Sequence, residues 1–230
     1  MPDTRARFHD DLAALEQQVL DVGDRAERAV AAAVDAFVAD DIAAADVVVA
    51  MDDEIDRNYL EAHRQWIELV ARQSPMGADL RMLSSLLHLL ITLERMGDQA
   101  VNIATITKAT AGLPRSERIV GQIREMGDQV LPMIRTALQA FVRRDPDEAR
   151  LLPSMDEPID RLNRNMYREV VDTGSDPALL EWATRMMMVS RALERIGDQA
   201  VDIGEQVAFV STGQLQEFVE EGISNRNGHG

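Results

Sequence analysis

The sequence predicts an all-α protein built as two tandem three-helix up-down bundles related by internal duplication. Three observations carry that expectation. Apolar residues recur at three- and four-residue spacing over long stretches, the pattern of helices that each bury one face. Hydrophobic residues make up 46% of the 230-residue chain but aromatic ones only 4%, a composition that suits helices packed on helices. The chain also repeats itself: Leu93-Glu94-Arg95-Met96-Gly97-Asp98-Gln99-Ala100-Val101-Asn102-Ile103 returns as Leu193-Glu194-Arg195-Ile196-Gly197-Asp198-Gln199-Ala200-Val201-Asp202-Ile203, identical at nine of eleven positions at an offset of 100.

The elements follow in order. Phe8, Leu12, Leu15, Val19, Val22, Ala26, Ala29, Ala33 and Phe37 lay out a first helix over about 8–39 with a narrow, coiled-coil-like seam. Asp40-Asp41 makes a turn, its acids suited to the next N-terminus. A second helix over about 42–72 closes with Leu60, Trp66, Ile67 and Val70 before Gln73-Ser74-Pro75-Met76-Gly77 breaks it. The third, about 78–109, carries the first copy of the repeated phrase. Ala111-Gly112-Leu113-Pro114-Arg115-Ser116 reads as a linker, and then the pattern restarts. Val22-Gly23-Asp24-Arg25 matches Met126-Gly127-Asp128-Gln129, and Met51 to Arg57 matches Met155 to Arg161, both at an offset of 104. Four residues are missing between the second and third helices of the copy, which produces the offset of 100 at the phrase. This is a duplicated three-helix unit.

Pro132 falls inside the fourth helix, where it should kink it. Pro146, Pro153 and Pro158 crowd the start of the fifth, so its first turns should bend or break. Asp176-Pro177 makes a cap and first-turn pair for the sixth. The expected division is a first bundle over 1–111, a linker over 112–118, a second bundle over 119–212 and a disordered tail over 213–230.

Bulk charge narrows the function. A formal net charge of −16 argues against nucleic acid as the main partner, because phosphate neutralisation needs a basic surface. It also disfavours an anionic membrane surface, and instead attracts cations and basic protein patches. There are no cysteines, so disulfides, thiolate metal sites and cysteine nucleophiles are excluded. No apolar run is long enough to span a bilayer, and the first residues lack the apolar region of a signal peptide. The expectation is a cytoplasmic protein with no direct membrane insertion.

The repeated phrase places acids where they are costly. Glu94, Asp98 and Asn102 lie one turn apart, within about 80° of one helix face, and on a helical wheel they continue the stripe of Leu83, Leu87, Ile91 and Val101. A carboxylate there loses hydration unless a cation or a donor meets it, and neighbouring like charges add to the cost. Glu194, Asp198 and Asp202 repeat the arrangement with one more charge. Asp52 with Asp56, and Asp156 with Asp160, form a further acid pair in each half. If the pairs converge, each bundle offers at least four hard oxygen ligands for Mg, Mn or Fe. The competing reading is a solvated acidic face, with Glu94 paired to Arg95 or Arg81 and with Asp53, Glu54 and Glu157 part of the same surface.

Catalysis is the weaker reading. A di-iron bundle oxidase needs Glu-x-x-His pairs, and none of His9, His63, His88 and His229 has Glu three residues before it. His88, within an apolar run, is expected to be a partly buried packing residue. No glycine-rich phosphate loop and no nucleophile-elbow serine occurs.

With the duplicated Leu-Glu-Arg-x-Gly-Asp-Gln-Ala phrase, and with Pro75-Met76-Gly77-Ala78-Asp79-Leu80-Arg81 leading into the third helix, the chain resembles the PhoU family of phosphate regulators from about Phe8 to Phe209. The resemblance implies two three-helix bundles with pseudo-twofold symmetry. It also implies repression of the phosphate-starvation response when phosphate is plentiful, through an adaptor, a homodimer, that couples the ATPase of the phosphate ABC transporter to a phosphate-sensing histidine kinase. Some members carry multinuclear iron or other metal clusters on paired Glu/Asp-x-x-x-Asp motifs. Those pairs map here to Asp52 with Asp56, Glu94 with Asp98, Asp156 with Asp160, and Glu194 with Asp198, with Asn102 and Asp202 one turn further on. The cofactor implied is a divalent or trivalent ion, Fe, Mn, Mg or Zn. The departure from the pattern is Pro158, inside the Asp156–Asp160 pair. Rival functions are a metal-storage bundle and a metal-dependent hydrolase.

Overall fold

The computed structural model describes residues 3–174 and 176–218. Among them the chain is helical with no strand: α1 (Asp3–Ala39), α2 (Ile42–Gln73), α3 (Ala78–Ala109), α4 (Glu117–Arg143), the single turn α5 (Pro146–Ala149), α6 (Leu152–Asp172) and α7 (Pro177–Thr212). The first three form one up-down bundle, and α4, α6 and α7 form its copy.

The turns are built by the residues the sequence marks. Asp40 takes a left-handed conformation at φ 55°, and the Asp41 side chain accepts the Ala44 N–H at 3.0 Å to start α2. Ser74 ends α2 in the left-handed region, and Gly77 (φ 61°) supplies the bend into α3. Asp176 accepts the Ala178 and Leu179 N–H groups ahead of Pro177. The crowded prolines break the fifth expected helix into α5 and α6, whereas α4 runs on as one helix through Pro132, at the loss of one backbone hydrogen bond. The start of α1 lies a turn earlier than the apolar seam suggests. Ser224–Gly230 lies outside the described residues. The part of the expected tail that is described, 213–218, lies back on the protein: Phe218 packs against the core and its N–H donates to Glu205 at 2.8 Å.

One continuous apolar core runs through both bundles. α3 packs on α7 and α1 on α4 across the duplication. Phe37 of α1 stacks on Trp182 of α7, centroids 6.4 Å apart, and the bare Gly127 of α4 admits Val34 of α1. A buried hydrogen bond from Ser85 to Gln206, 3.0 Å, ties α3 to α7. Because α3 buries residues against both its own bundle and α7, its buried arc is wide and centred on Leu86, Leu89, Leu93, Ala100, Ala104 and Thr107. The stripe of Leu83, Leu87, Ile91 and Val101 is the edge of that arc: Leu83 is buried and the other three are half-buried. The acids of the repeated phrase therefore sit on a rim beside the core.

Candidate functional site

Two acidic rims result, one per bundle, each where the second helix of the unit crosses the third. In the first, Asp52 and Asp56 of α2 face Glu94 and Asp98 of α3. Asp52 and Glu94 are half-buried, Asp56 and Asp98 exposed. The glycine of the repeated phrase makes the approach possible. A Cβ on Gly97 would meet Ile55 Cδ1 at 3.0 Å and Asp52 Oδ1 at 3.2 Å, so its absence lets α2 lay Asp52 directly on α3. Gly197 does the same more tightly in the second rim, where a Cβ would land inside contact distance of Asp156 Oδ1. There Asp156 and Glu194 are buried, at 8% and 7% exposure. Asp160 is half-buried and Asp198 exposed.

The electrostatics follow from burial and crowding. Burial, reinforced by Asp56, Asp98 and Asp53, pushes the Asp52 carboxyl up to about 6. Glu94 is raised by burial, then by Asp98, Asp56 and Asp52, and Asp98 by burial and Asp56. Glu194 is raised by burial and by Asp198, against the pull of Arg191. Asp198 is raised by burial and Asp160. Carboxylates on two helices thus sense one another, and the acid pairs that the spacing left open as separate or convergent face each other across the two helices in both halves.

The two remaining expected ligands lie beside the rims and meet other partners too, although Asp202 still raises Asp198. Asn102 lines a cleft between α3 and the second bundle. Asp202 is raised by burial and held back by His88 and Arg95 of α3. His88 is exposed and bears on Asp202 and Glu205, so it is not the packing residue its apolar neighbours suggest.

The rims differ in their counter-ions. Arg191 binds Glu194 and Arg164 binds Asp160 at 3.2 Å in the second rim. In the first, Arg95 acts on Glu94 only at a distance, Arg81 does not pair with it, and no ion pair holds Asp52, Asp56, Glu94 or Asp98 among the described residues. Asp52 Oδ1 and Glu194 Oε2 are buried without a hydrogen-bond donor, a state that costs about 1–3 kcal/mol each.

The residues present fit a hard cation: every donor is a carboxylate oxygen, and buried oxygens lack donors. No three Asp, Glu or His side chains among the described residues are closed into a metal shell, so a cation would have to draw the carboxylates inward. The glycines and the second-rim arginines were not evident as site residues from the sequence. A helical glycine costs about 1 kcal/mol relative to alanine, and the same glycine in both copies of a helical phrase was the available signal.

Comparison with known proteins agrees with this fold. The PhoU domain family matches residues 19–107 and again 123–207. A phosphate-specific transport system accessory protein PhoU homolog from Clostridium acetobutylicum is 33% identical over 213 residues, covering 92% of this chain and 97% of that protein. A homolog of the same description from Pseudomonas aeruginosa is 31% identical over 208 residues, 90% of this chain and 86% of that one. The crystal structure of PhoU from Pseudomonas aeruginosa superposes with a TM-score of 0.86 at 31% identity, over 90% of this chain and all of that one. PhoU from Streptococcus pneumoniae, a phosphate transport system regulatory protein, gives 0.83 at 26% identity, over 91% of this chain and 99% of that one. With both of its halves matched and its length covered almost end to end, the chain belongs to the PhoU family.

Proposed function

We propose that this protein regulates phosphate uptake and the phosphate-starvation response as a cytoplasmic adaptor, restraining the response when phosphate is plentiful. The observation that carries the reading is the near-complete match to relatives named as phosphate-specific transport system accessory proteins. Its partners are the ATPase of the phosphate ABC transporter and a phosphate-sensing histidine kinase, and it works as a homodimer. No helix among the described residues is long and apolar enough to cross a membrane, which suits a protein that docks on such partners. The protein acts by binding, not turnover: a surface with different affinity for two states of a partner shifts their balance.

The acidic rims take metal ions in this reading. Asp52, Asp56, Glu94 and Asp98 hold one site, and Asp156, Asp160, Glu194 and Asp198 the other, with Asn102 and Asp202 as neighbouring oxygen donors. A bound cation supplies positive charge that relieves carboxylate repulsion. The side chains themselves set the shape and charge of the faces that partners meet.

The deciding experiment is capture of the tagged protein from its host, grown with and without phosphate, followed by mass spectrometry. Recovery of the transporter ATPase or the kinase, changing with phosphate, supports the adaptor. Recovery of neither, together with stoichiometric metal on the protein, would favour a metal-handling bundle.

A further inference from the structure

Internal duplication should give the molecule two similar faces where α3 meets the second bundle and α7 meets the first, yet they have diverged. Where α7 meets the first bundle, Asp202 and Glu205 lie near His88, and Arg95 bears on Asp202. Where α3 meets the second bundle, the positions matching Asp202 and Glu205 are Asn102 and Thr105. They line a cleft of about 740 Å³ with Arg164, Arg191 and Arg195. Leu60 and Ile91 occupy the places of Arg164 and Arg191 in the first repeat. Two of the three arginines therefore belong to the second half alone.

The cleft has an orientation. Ser190 of α7 donates to Asn163 of α6 at 2.9 Å, and further along Asp156 lies over Gly197, so the two helices run antiparallel. Going toward the C-terminus of α6 and the N-terminus of α7 is the same direction in space. Arg164, Arg191 and Arg195 accordingly share one end of the cleft, and Tyr167, Met187 and Met188 share the other. Along the shared axis the arginines spread over ~9 Å and begin about one residue's rise, ~1.5 Å, beyond Met188, so the basic and apolar parts adjoin. Tyr167 and Met188 are 64% and 62% exposed, large apolar surfaces with no cover among the described residues.

We propose that this cleft binds a nucleoside polyphosphate, with its phosphates on Arg164, Arg191 and Arg195 and its base against Tyr167, Met187 and Met188. Charge is the first argument. The chain carries −16 overall, but no acid is among the described residues lining the cleft. Guanidinium groups meet phosphate oxygens in paired, charge-assisted hydrogen bonds. Arg191 already pairs with Glu194, and Arg164 with Asp160 and Glu157, at the rim, so an anion in the cleft shares those two guanidinium groups with the rim acids. Arg195 has no ion pair among the described residues, so one guanidinium is available without displacing a carboxylate. Size is the second argument, since the volume suits an organic ligand and exceeds what inorganic phosphate fills. The third is the apolar end, because an exposed tyrosine ring and two thioethers offer a stacking surface to a base. The inference stands apart from the adaptor reading, since failure to capture a transporter or kinase would leave it unchanged.

The test is calorimetric titration of the full chain with ATP, tripolyphosphate and adenosine, with chelator present so that metal bridging plays no part. ATP should bind saturably at one site, tripolyphosphate at least ~5-fold more weakly and adenosine not measurably. The Arg191→Gln/Arg195→Gln protein should lose at least ~10-fold in ATP affinity. Tyr167→Ala should weaken ATP several-fold and leave tripolyphosphate unchanged, which separates stacking from general charge. Arg28→Gln, on the exposed face of α1, controls for net charge and should change nothing. Circular dichroism and melting temperature establish that each variant is folded. The proposal is overturned by no saturation at millimolar ATP, by tripolyphosphate binding as tightly as ATP, or by folded arginine variants that bind ATP like the wild type. Preference for a polyglutamate peptide over ATP would also overturn it and assign the cleft to an acidic protein segment.

Discussion

The two acidic rims descend from one unit, yet they handle the same electrostatic problem differently. In the first, four carboxylates face one another without an ion pair among the described residues, and Asp52 is held protonatable near pH 6. In the second, Arg191 and Arg164 partly neutralise Glu194 and Asp160, while burial is deeper. The chain keeps the acids in both halves and supplies counter-ions in only one. A rim with its own arginines is stable without a cation and resists one, because the cation must first displace a guanidinium. A rim without them has no guanidinium to displace. If the rims take metal as proposed, the first is open to a cation and the second must be opened.

The largest effect that follows is on metal affinity. Manganese titration should resolve a tighter and a weaker class of sites. Asp52→Asn with Glu94→Gln should weaken the tighter class by ~100-fold, about 2.7 kcal/mol. The matched change, Asp156→Asn with Glu194→Gln, should act on the weaker class. Equal affinities in the wild type would break the comparison outright, and so would the two double variants exchanging their effects.

Next in size is a test of how closely each acid is laid on its neighbouring helix. Gly197→Ala places a methyl group inside contact distance of Asp156, whereas Gly97→Ala meets Asp52 and Ile55 at 3.2 and 3.0 Å. Overpacking of this kind costs about 1–3 kcal/mol, and the helix-forming gain of alanine over glycine returns about 1 kcal/mol. Gly197→Ala should therefore be clearly destabilised in denaturant melts and Gly97→Ala close to neutral. A larger loss at Gly97 would show that the second rim has more slack than the first.

A smaller effect is the pH dependence of the metal-free first rim. The Asp52 carboxyl rises from 3.8 to about 6 on folding, so the native state takes up its proton before the unfolded chain does. Ionised Asp52 opposes folding above pH 6, and that opposition fades as pH falls through 6 toward 3.8. In chelator, melting curves at pH 7.5 and pH 5 should show Asp52→Asn gaining stability over the wild type at the higher pH, with that gain cut to about half at the lower. Partial exposure screens the charge, so the difference should be about 2–4 °C. A constant difference at both pH values would mean that Asp52 is not the group being titrated.

Much of this was legible in the sequence. Helix boundaries, the proline break before α6 and the duplication follow from spacing, because a long amphipathic helix leaves few alternatives. Convergence of Asp52 with Glu94 and Asp98 was legible only as a possibility. It depends on the close approach that Gly97 allows, and that approach is a property of two helices together. The centre of the α3 arc was misplaced because a helix buried against two bundles does not show a single apolar stripe, and the reading of His88 as a packing residue failed for the same reason. The pairing of Arg191 with Glu194 could not be separated beforehand from the other charges near it, since Arg195 neighbours the same acid in sequence.

The smallest expected effect isolates that pairing. Arg191 is exposed, and its ion pair with Glu194 spans three residues of one helix, so by itself it adds little to stability. Its consequence lies in competition. A cation entering the second rim must detach Glu194 from Arg191, and the energy of that pair is subtracted from binding. Arg191→Gln removes the competitor and leaves Glu194 in place, so manganese affinity of the weaker class should rise by about 2–5-fold, matching a surface pair worth at most ~1 kcal/mol, with the tighter class unchanged. The counterpart of Arg191 in the first repeat is Ile91, so Ile91→Arg should move the first rim the other way. A drop in affinity with Arg191→Gln would mean that the arginine holds Glu194 in position for the metal. The counter-ion would then be part of the site, and the contrast between the rims would be one of preorganisation, not of competition.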